Sequence, residues 1–361
     1  MTAVTRRSFV MASAAASVMT PVLAKTGQAP MPASTRAATP ADIPAIVPLL
    51  IQNAQARHAI DPLLWRMDDQ AATRTTEALT AAFATTGPQR DHIFVAEANG
   101  QLAGVTRAML VPVPPIYDPG VQPALLQDDC FTAPNAPPGT AEALLAATET
   151  AMREAGADSF IASCTIGTPQ HALYTGHDYE PVTLYLAKHG FTDAPFASDI
   201  RPATGDDIPA IVTLSAAHRK TLQKINDRFW HVHPEADARF GMWMQYSLTL
   251  KDRDMLVATT GSGLAGYAIA QPVTRLHIPA AHDIAKIGVL DDFYDTDFAS
   301  IETASSTASA THLITATESA FARRGMDSAL VVCPNDWTSK HTLLEQRGYK
   351  SAKVWMLKKT A

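Results

Sequence analysis

The sequence predicts a mixed α/β protein, of the α+β mixed-sheet kind, built from two similar halves. Three observations carry this: an ordinary globular composition, a hexapeptide that recurs in step with its neighbours, and the same strand and helix patterns after each copy. The 361 residues are 47% apolar and 18% charged, which is enough chain for two domains and excludes disordered, collagen-like and polytopic membrane proteins. Asp42-Ile43-Pro44-Ala45-Ile46-Val47 returns as Asp207-Ile208-Pro209-Ala210-Ile211-Val212. In the same order, Leu102-Ala103-Gly104 returns as Leu264-Ala265-Gly266, Asp128-Asp129 as Asp291-Asp292, Cys164 as Cys333 and Gly190-Phe191 as Gly348-Tyr349. Repetition with kept order and spacing predicts two related domains, residues 35–198 and 199–361.

The elements then follow one another. Arg36 to Thr39 and Arg201 to Thr204 close a short first strand, and Pro40 and Asp206-Asp207 open a helix, since early proline and acidic residues suit a helix N-terminus. Ile93 to Ala98 and Leu102 to Val111 flank Asn99-Gly100, a strong hairpin signal, and Met255 to Thr260 and Leu264 to Ala270 flank Gly261-Ser262-Gly263 likewise. A strand with the paired aspartates follows, then helices over Ala141 to Ala155 and Thr311 to Arg324. Phe160 to Cys164 and Ala329 to Cys333 are buried strands; Leu184 to Lys188 and Thr342 to Gln346 are the last helices. Only Thr192 to Asp199 separates the halves, too short for a closing hairpin in the first, so the second half is expected to complete the first half's sheet.

Lys and Arg total 29 against 35 Asp and Glu, a net charge of -6 without a basic block, so nucleic acid is not an expected partner. Cys130, Cys164 and Cys333 are too few and scattered for a disulfide framework and lie in or beside apolar runs, as small buried hydrophobes do. Thr5-Arg6-Arg7-Ser8-Phe9-Val10 matches a twin-arginine export pattern, followed by a charge-free run to Val22-Leu23-Ala24. Residues 1–24 then form a signal peptide and 25–34 a linker, sending the chain to the periplasm without stable membrane insertion, since a span takes about 20 apolar residues. Translation from Met31 is the alternative and leaves the chain in the cytoplasm.

The element order, the Arg-x-Ala-Thr-x-x-Asp-Ile opening, the Asp-Asp strand and the closing Leu-x-x-x-Gly-Phe together resemble the GNAT (GCN5-related N-acetyltransferase) superfamily, present twice after residue 34. The resemblance implies two tandem GNAT-like acyl-CoA N-acyltransferase folds, with acetyl-CoA as acyl donor, a small amine as acceptor and no metal. The family's donor loop, Arg/Gln-x-x-Gly-x-Gly/Ala, falls on Ala136-Pro137-Pro138-Gly139-Thr140-Ala141, where helix N-terminal amides would meet the phosphates. Ala136 departs from the pattern, and Pro137 and Pro138 have no N–H to offer. The implied donor contacts are Phe131, Thr132, Gly139, Thr140 and Ala141. In the second half Ser305 to Ala310 stands in this place without a glycine.

The implied base is Asp128 or Asp129, because an acceptor ammonium must lose a proton before it attacks. Neighbours on a strand face opposite sides, so at most one of each pair is expected to face the cleft; a strand terminus explains the pair equally. The family's general-acid Tyr, four residues before the closing Gly, falls on Leu186 and Leu344, which cannot donate a proton, and Tyr185 would point about 100 degrees away on a helix. Trp65 and Trp230 are either pocket walls or core anchors. His231 and His233 share a strand face but lack a third metal ligand. Degenerate loops and the missing Tyr leave a second reading open, a non-catalytic GNAT-like binding protein in the periplasm.

Overall fold

The repeated opening motif is a device for starting a helix. In the first half the Thr39 amide donates to Asp42 Oδ2 at 2.7 Å while Arg36 grips the same carboxylate at 2.8 and 2.9 Å. Thr204, Asp207 and Arg201 repeat this at 2.8, 2.7 and 2.8 Å. A side chain that satisfies first-turn amides fixes where the chain turns helical. The computed structural model describes residues 33–88, 90–118, 120–304 and 308–358; the export motif and residues 1–24 lie outside them.

The first half runs β1 (Ser34–Ala37), α1 (Ile43–Ile60), α2 (Ala71–Ala84), β2 (His92–Ala98), β3 (Gln101–Leu110), β4 (Pro123–Leu126), β5 (Phe131–Thr132), α3 (Thr140–Glu154), β6 (Ser159–Thr165), α4 (Pro169–Thr175) and β7 (Tyr179–His189). The second repeats this order as β8 (Ile200–Pro202), α5 (Ile208–Ile225), α6 (Ala236–Ser247), β9 (Asp254–Thr260), β10 (Gly263–Pro272), β11 (Ile287–Asp295), α7 (Ser309–Arg323), β12 (Ser328–Pro334), α8 (Thr338–Gln346) and β13 (Lys350–Lys358). The β2–β3 hairpin turns at Asn99 and Gly100, with φ of 53° and 74°, the left-handed pair such a turn needs.

One mixed sheet takes all 13 strands of the described residues, in the order β1-β2-β3-β4-β6-β13-β7-β12-β11-β10-β9-β8, with β5 on β3. The halves exchange their last strands: β13 lies antiparallel on β6, with Lys353 opposite Thr165, and β7 lies antiparallel on β12, with Thr183 opposite Pro334. The second half thus completes the first half's sheet, as the short connection requires. A large buried cluster runs through both halves, from Leu125 and Ile161 to Leu290 and Phe321, and a smaller one joins Trp65 and Tyr185 to Ile278 and Val289.

The expected helix over Leu184 to Lys188 is instead part of β7. Val182 to Ala187 are all buried between two neighbouring strands, where a continuous apolar run reads as a central strand. The last helix of the first half is α4, and the chain turns after it at Asp178, with φ of 63°, matching Gly348 after α8, with φ of 86°. Asp is one of the few residues besides Gly that enters the left-handed region at small cost.

Candidate functional site

Each half contains two parallel strands that begin paired and then part. β4 and β6 pair from Pro123↔Ser159 to Leu126↔Ala162, after which β6 continues to Thr165 while β5 turns away to pair with β3. β11 and β12 pair from Ile287↔Ser328 to Leu290↔Val331 and then separate. The parting exposes backbone N–H and C=O groups on facing edges, and such groups need a partner.

In the first half Phe131 and Thr132 form β5, one wall of the split. Gly139 caps α3 with φ of 82°, and Ala143 is the first residue to bond back in the α-helical pattern, to Gly139 O at 3.0 Å. Thr140 turns inward, its amide and hydroxyl both donating to Pro137 O at 3.2 and 2.6 Å. The first-turn amides of Ala141 and Glu142 are left without a partner inside the helix. The Glu142 carboxylate in the same turn works against an anion.

Tyr174, on α4, stands four residues before Asp178. It is buried against Cys130 and Cys164 beside the split and hydrogen-bonded to Cys130. Burial, then the neighbouring thiols, pushes its phenol well above the usual range, so it holds its proton at ordinary pH. Tyr174 was missed in the sequence because Asp178 stands where a glycine was sought. The signal was Leu173-Tyr174 followed by Asp178-Tyr179. Burial also raises the Cys130 thiol to about 11, which makes it a poor nucleophile.

The aspartate pairs do not obey strand alternation. Asp128 and Asp129 lie in the turn between β4 and β5, and both border a polar cavity of about 480 Å³ with Asp68, Arg74 and Arg107. Asp128 is buried, accepting from Lys353 Nζ and, at 3.1 Å, from Ser163 Oγ. Asp129 keeps one contact, 3.3 Å to Arg107. In the second half Asp291 is the extra residue of a bulge, because Ile269 faces Asp292 and Ala270 faces Leu290, so both carboxylates reach one cavity.

In the second half the chain itself caps the N-terminus of α7. Asp297 accepts from the Ala310 amide at 3.1 Å and from Ser309 Oγ at 3.3 Å, satisfying first-turn donors at the N-terminus of α7. Trp337 Nε1 donates to Phe298 O at 2.9 Å and the Ser339 amide to Ile301 O at 2.8 Å, tying the segment after β11 to the start of α8. A carboxylate at that helix end repels an anionic ligand.

With this geometry the protein resembles a GCN5-related N-acetyltransferase from Sphaerobacter thermophilus, with a TM-score of 0.52 and 17% identity, covering 92% of this chain and 96% of that one. The fold is that of the GNAT acyltransferases. A tandem GNAT protein from the clavulanic acid biosynthesis pathway aligns at a TM-score of 0.49 and 12% identity, over 90% of this chain and 98% of its own. A GNAT-family acetyltransferase from Colwellia psychrerythraea aligns at 0.46 and 12%, over the same shares. No family model and no curated protein matches the chain.

The remaining sequence candidates divide. Trp65 is fully buried beside His282 and anchors the core, whereas Trp230 borders the second half's cavity. His231 pairs with Asp227 at 3.0 Å, and His233 Nδ1 accepts the Glu235 amide at 3.0 Å. No group of His, Cys, Asp and Glu among the described residues could hold a metal, and none of their helices is long and apolar enough to cross a membrane.

Proposed function

We propose that the protein is an N-acyltransferase that moves an acyl group, most simply acetyl, from acyl-CoA to a small amine, with the donor held in the first half. The observation that carries this is the first half's split, whose parted strands flank the proton-bearing Tyr174 and lead on to a Gly139-capped helix end. Phe131, Thr132, Gly139 and Ala141 would line the donor. Asp129, bound by one 3.3 Å contact, takes the acceptor's proton directly or through water, since Asp128 is committed to Lys353. The amine nitrogen then bonds to the acyl carbon and the carbon–sulfur bond breaks; Tyr174 protonates the departing thiolate and takes up in return the second proton, which the nitrogen sheds on becoming an amide.

A second reading, a non-catalytic ligand-binding protein, is favoured by Asp297 at the N-terminus of α7 and by the Lys353 pair on Asp128. It goes with export through the twin-arginine motif, because acyl-CoA is a cytoplasmic metabolite. Calorimetric titration of the full chain with acetyl-CoA, with thiol release measured over a panel of small amines, separates the two. One bound acetyl-CoA per chain and amine-dependent thiol release support the enzyme; no binding leaves the ligand-binding reading. The intact mass of protein from its native cell dates the address: a chain starting at Lys25 in the periplasm excludes the donor, and one starting at Met31 in the cytoplasm admits it.

A further inference from the structure

The strand exchange places one residue of each half opposite the last residue of the partner's central strand. On β6 that last residue is Thr165 and its neighbour is Lys353; on β12 it is Pro334 and its neighbour is Thr183. In the first half Lys353 reaches back over the sheet, fully buried, and its ammonium lies between Asp128 Oδ2 and the His277 carbonyl, 2.8 Å away, and over the Tyr185 ring. The first half therefore carries a built-in ammonium against its aspartate pair.

The second half lacks it. Thr183 borders a cavity of about 400 Å³ into which Asp291 opens. Asp291 stands exposed at this cavity and has no hydrogen-bond or ion-pair partner among the described residues. Asp292 is held low, the push of its own burial outweighed by His218 and Tyr267, which bond it at 3.1 and 2.8 Å. The neighbouring cations are engaged elsewhere. Lys340 Nζ donates to Phe293 O at 2.7 Å among three aromatic rings, and Arg219 serves Asp237 and Ser215. His218, 7% exposed, borders the cavity with Nε2 unpartnered. The walls are apolar and aromatic, among them Tyr117 from the first half, Tyr185, Trp230 and Trp355. A carboxylate without a protein partner beside aromatic walls offers an organic cation both a counter-charge and ring faces.

We propose that the second half binds a small organic ammonium compound with an aromatic or apolar body in this cavity, its cation against Asp291 in the place that Lys353 fills in the first half. Coenzyme A takes no part, because the N-terminus of α7 is capped by the Asp297 carboxylate, which repels an anion. The site spans both halves, Tyr117 closing it from the first, and it stands whether or not the first half transfers acyl groups.

Titration calorimetry of the full chain with phenethylamine and with its neutral analogue 2-phenylethanol tests this, with and without coenzyme A. The expected result is one amine site, at least tenfold tighter than the alcohol and unchanged by coenzyme A. Asp291→Asn is expected to erase the preference for the amine, and Thr183→Lys, which installs the first half's ammonium, to abolish binding. Should Thr183→Lys fail to fold, Asp291→Asn decides alone. Equal affinity for amine and alcohol, no amine binding, or an unchanged Asp291→Asn variant overturns the proposal. Acetyl-CoA binding is read separately, so the failure of one reading does not mimic the failure of the other.

Discussion

Asp295 is a buried acid bonded by Ser309 at the start of α7. Its carboxyl is raised to about 7, first by burial, with the Asp297 amide and Ser309 hydroxyl pulling the other way through Oδ1. Oδ2 is buried without a partner. Between the ordinary value of 3.8 and about 7 the folded chain holds a proton there that the unfolded chain has lost. Stability from this group is therefore present below that window and declines as pH rises through it. Histidines with lowered values, such as His277 at about 4 through burial, act in the opposite direction over part of the range, so the effect is read as a difference between two proteins. Asp295→Asn, which keeps an oxygen for Oδ1, is expected to gain about 2 to 3 kcal/mol on the parent chain between pH 5 and pH 8. Urea midpoints of both proteins at the two pH values check this. A difference that stays constant with pH contradicts it.

At the level of elements, α3 carries the donor reading, and one position isolates it. Gly139 has φ of 82° and open space where a Cβ would project, so Gly139→Ala meets only backbone strain, about 1 to 2 kcal/mol. If the helix end holds the donor's phosphates, relaxing that strain swings the Ala141 and Glu142 amides away, and acetyl-CoA affinity is expected to fall about tenfold while the chain stays folded; an unchanged dissociation constant would place the donor elsewhere. The hairpins, α3, α7 and the buried strands were legible in the sequence because left-handed turns and long periodic runs are local signals. The end of the first half was not. Gly190 looked like the counterpart of Gly348, but the counterpart is Asp178, and that one substitution hid α4, disguised β7 as a helix and concealed Tyr174. The aspartates were found as pairs, yet their shared orientation was not, since a bulge cannot be read from spacing.

For the whole molecule the strand exchange decides what can fold alone. The first half ends in β7, which belongs to β12, and its own β6 is completed by β13. The exchange was foreshadowed by the short connection after Phe191, but the central placement of both final strands emerges only from pairing across the entire chain. Residues 33–198 expressed alone would expose the edge of β6 and leave the apolar β7 without β12, and Asp128 would lose its Lys353 ammonium. An unpaired edge and an uncompensated buried carboxylate both disfavour a stable monomer. The fragment is therefore expected to aggregate, or to form a dimer in which each β7 completes the other copy's sheet. Co-expression with residues 199–361 is expected to return a one-to-one complex with a single cooperative melting transition. Light scattering and calorimetry of the fragment, alone and with its complement, provide the readout. A monomeric first half that melts cooperatively by itself would mean that the two halves are independent domains, and that the exchanged strands are an ornament of the sheet and not its closure.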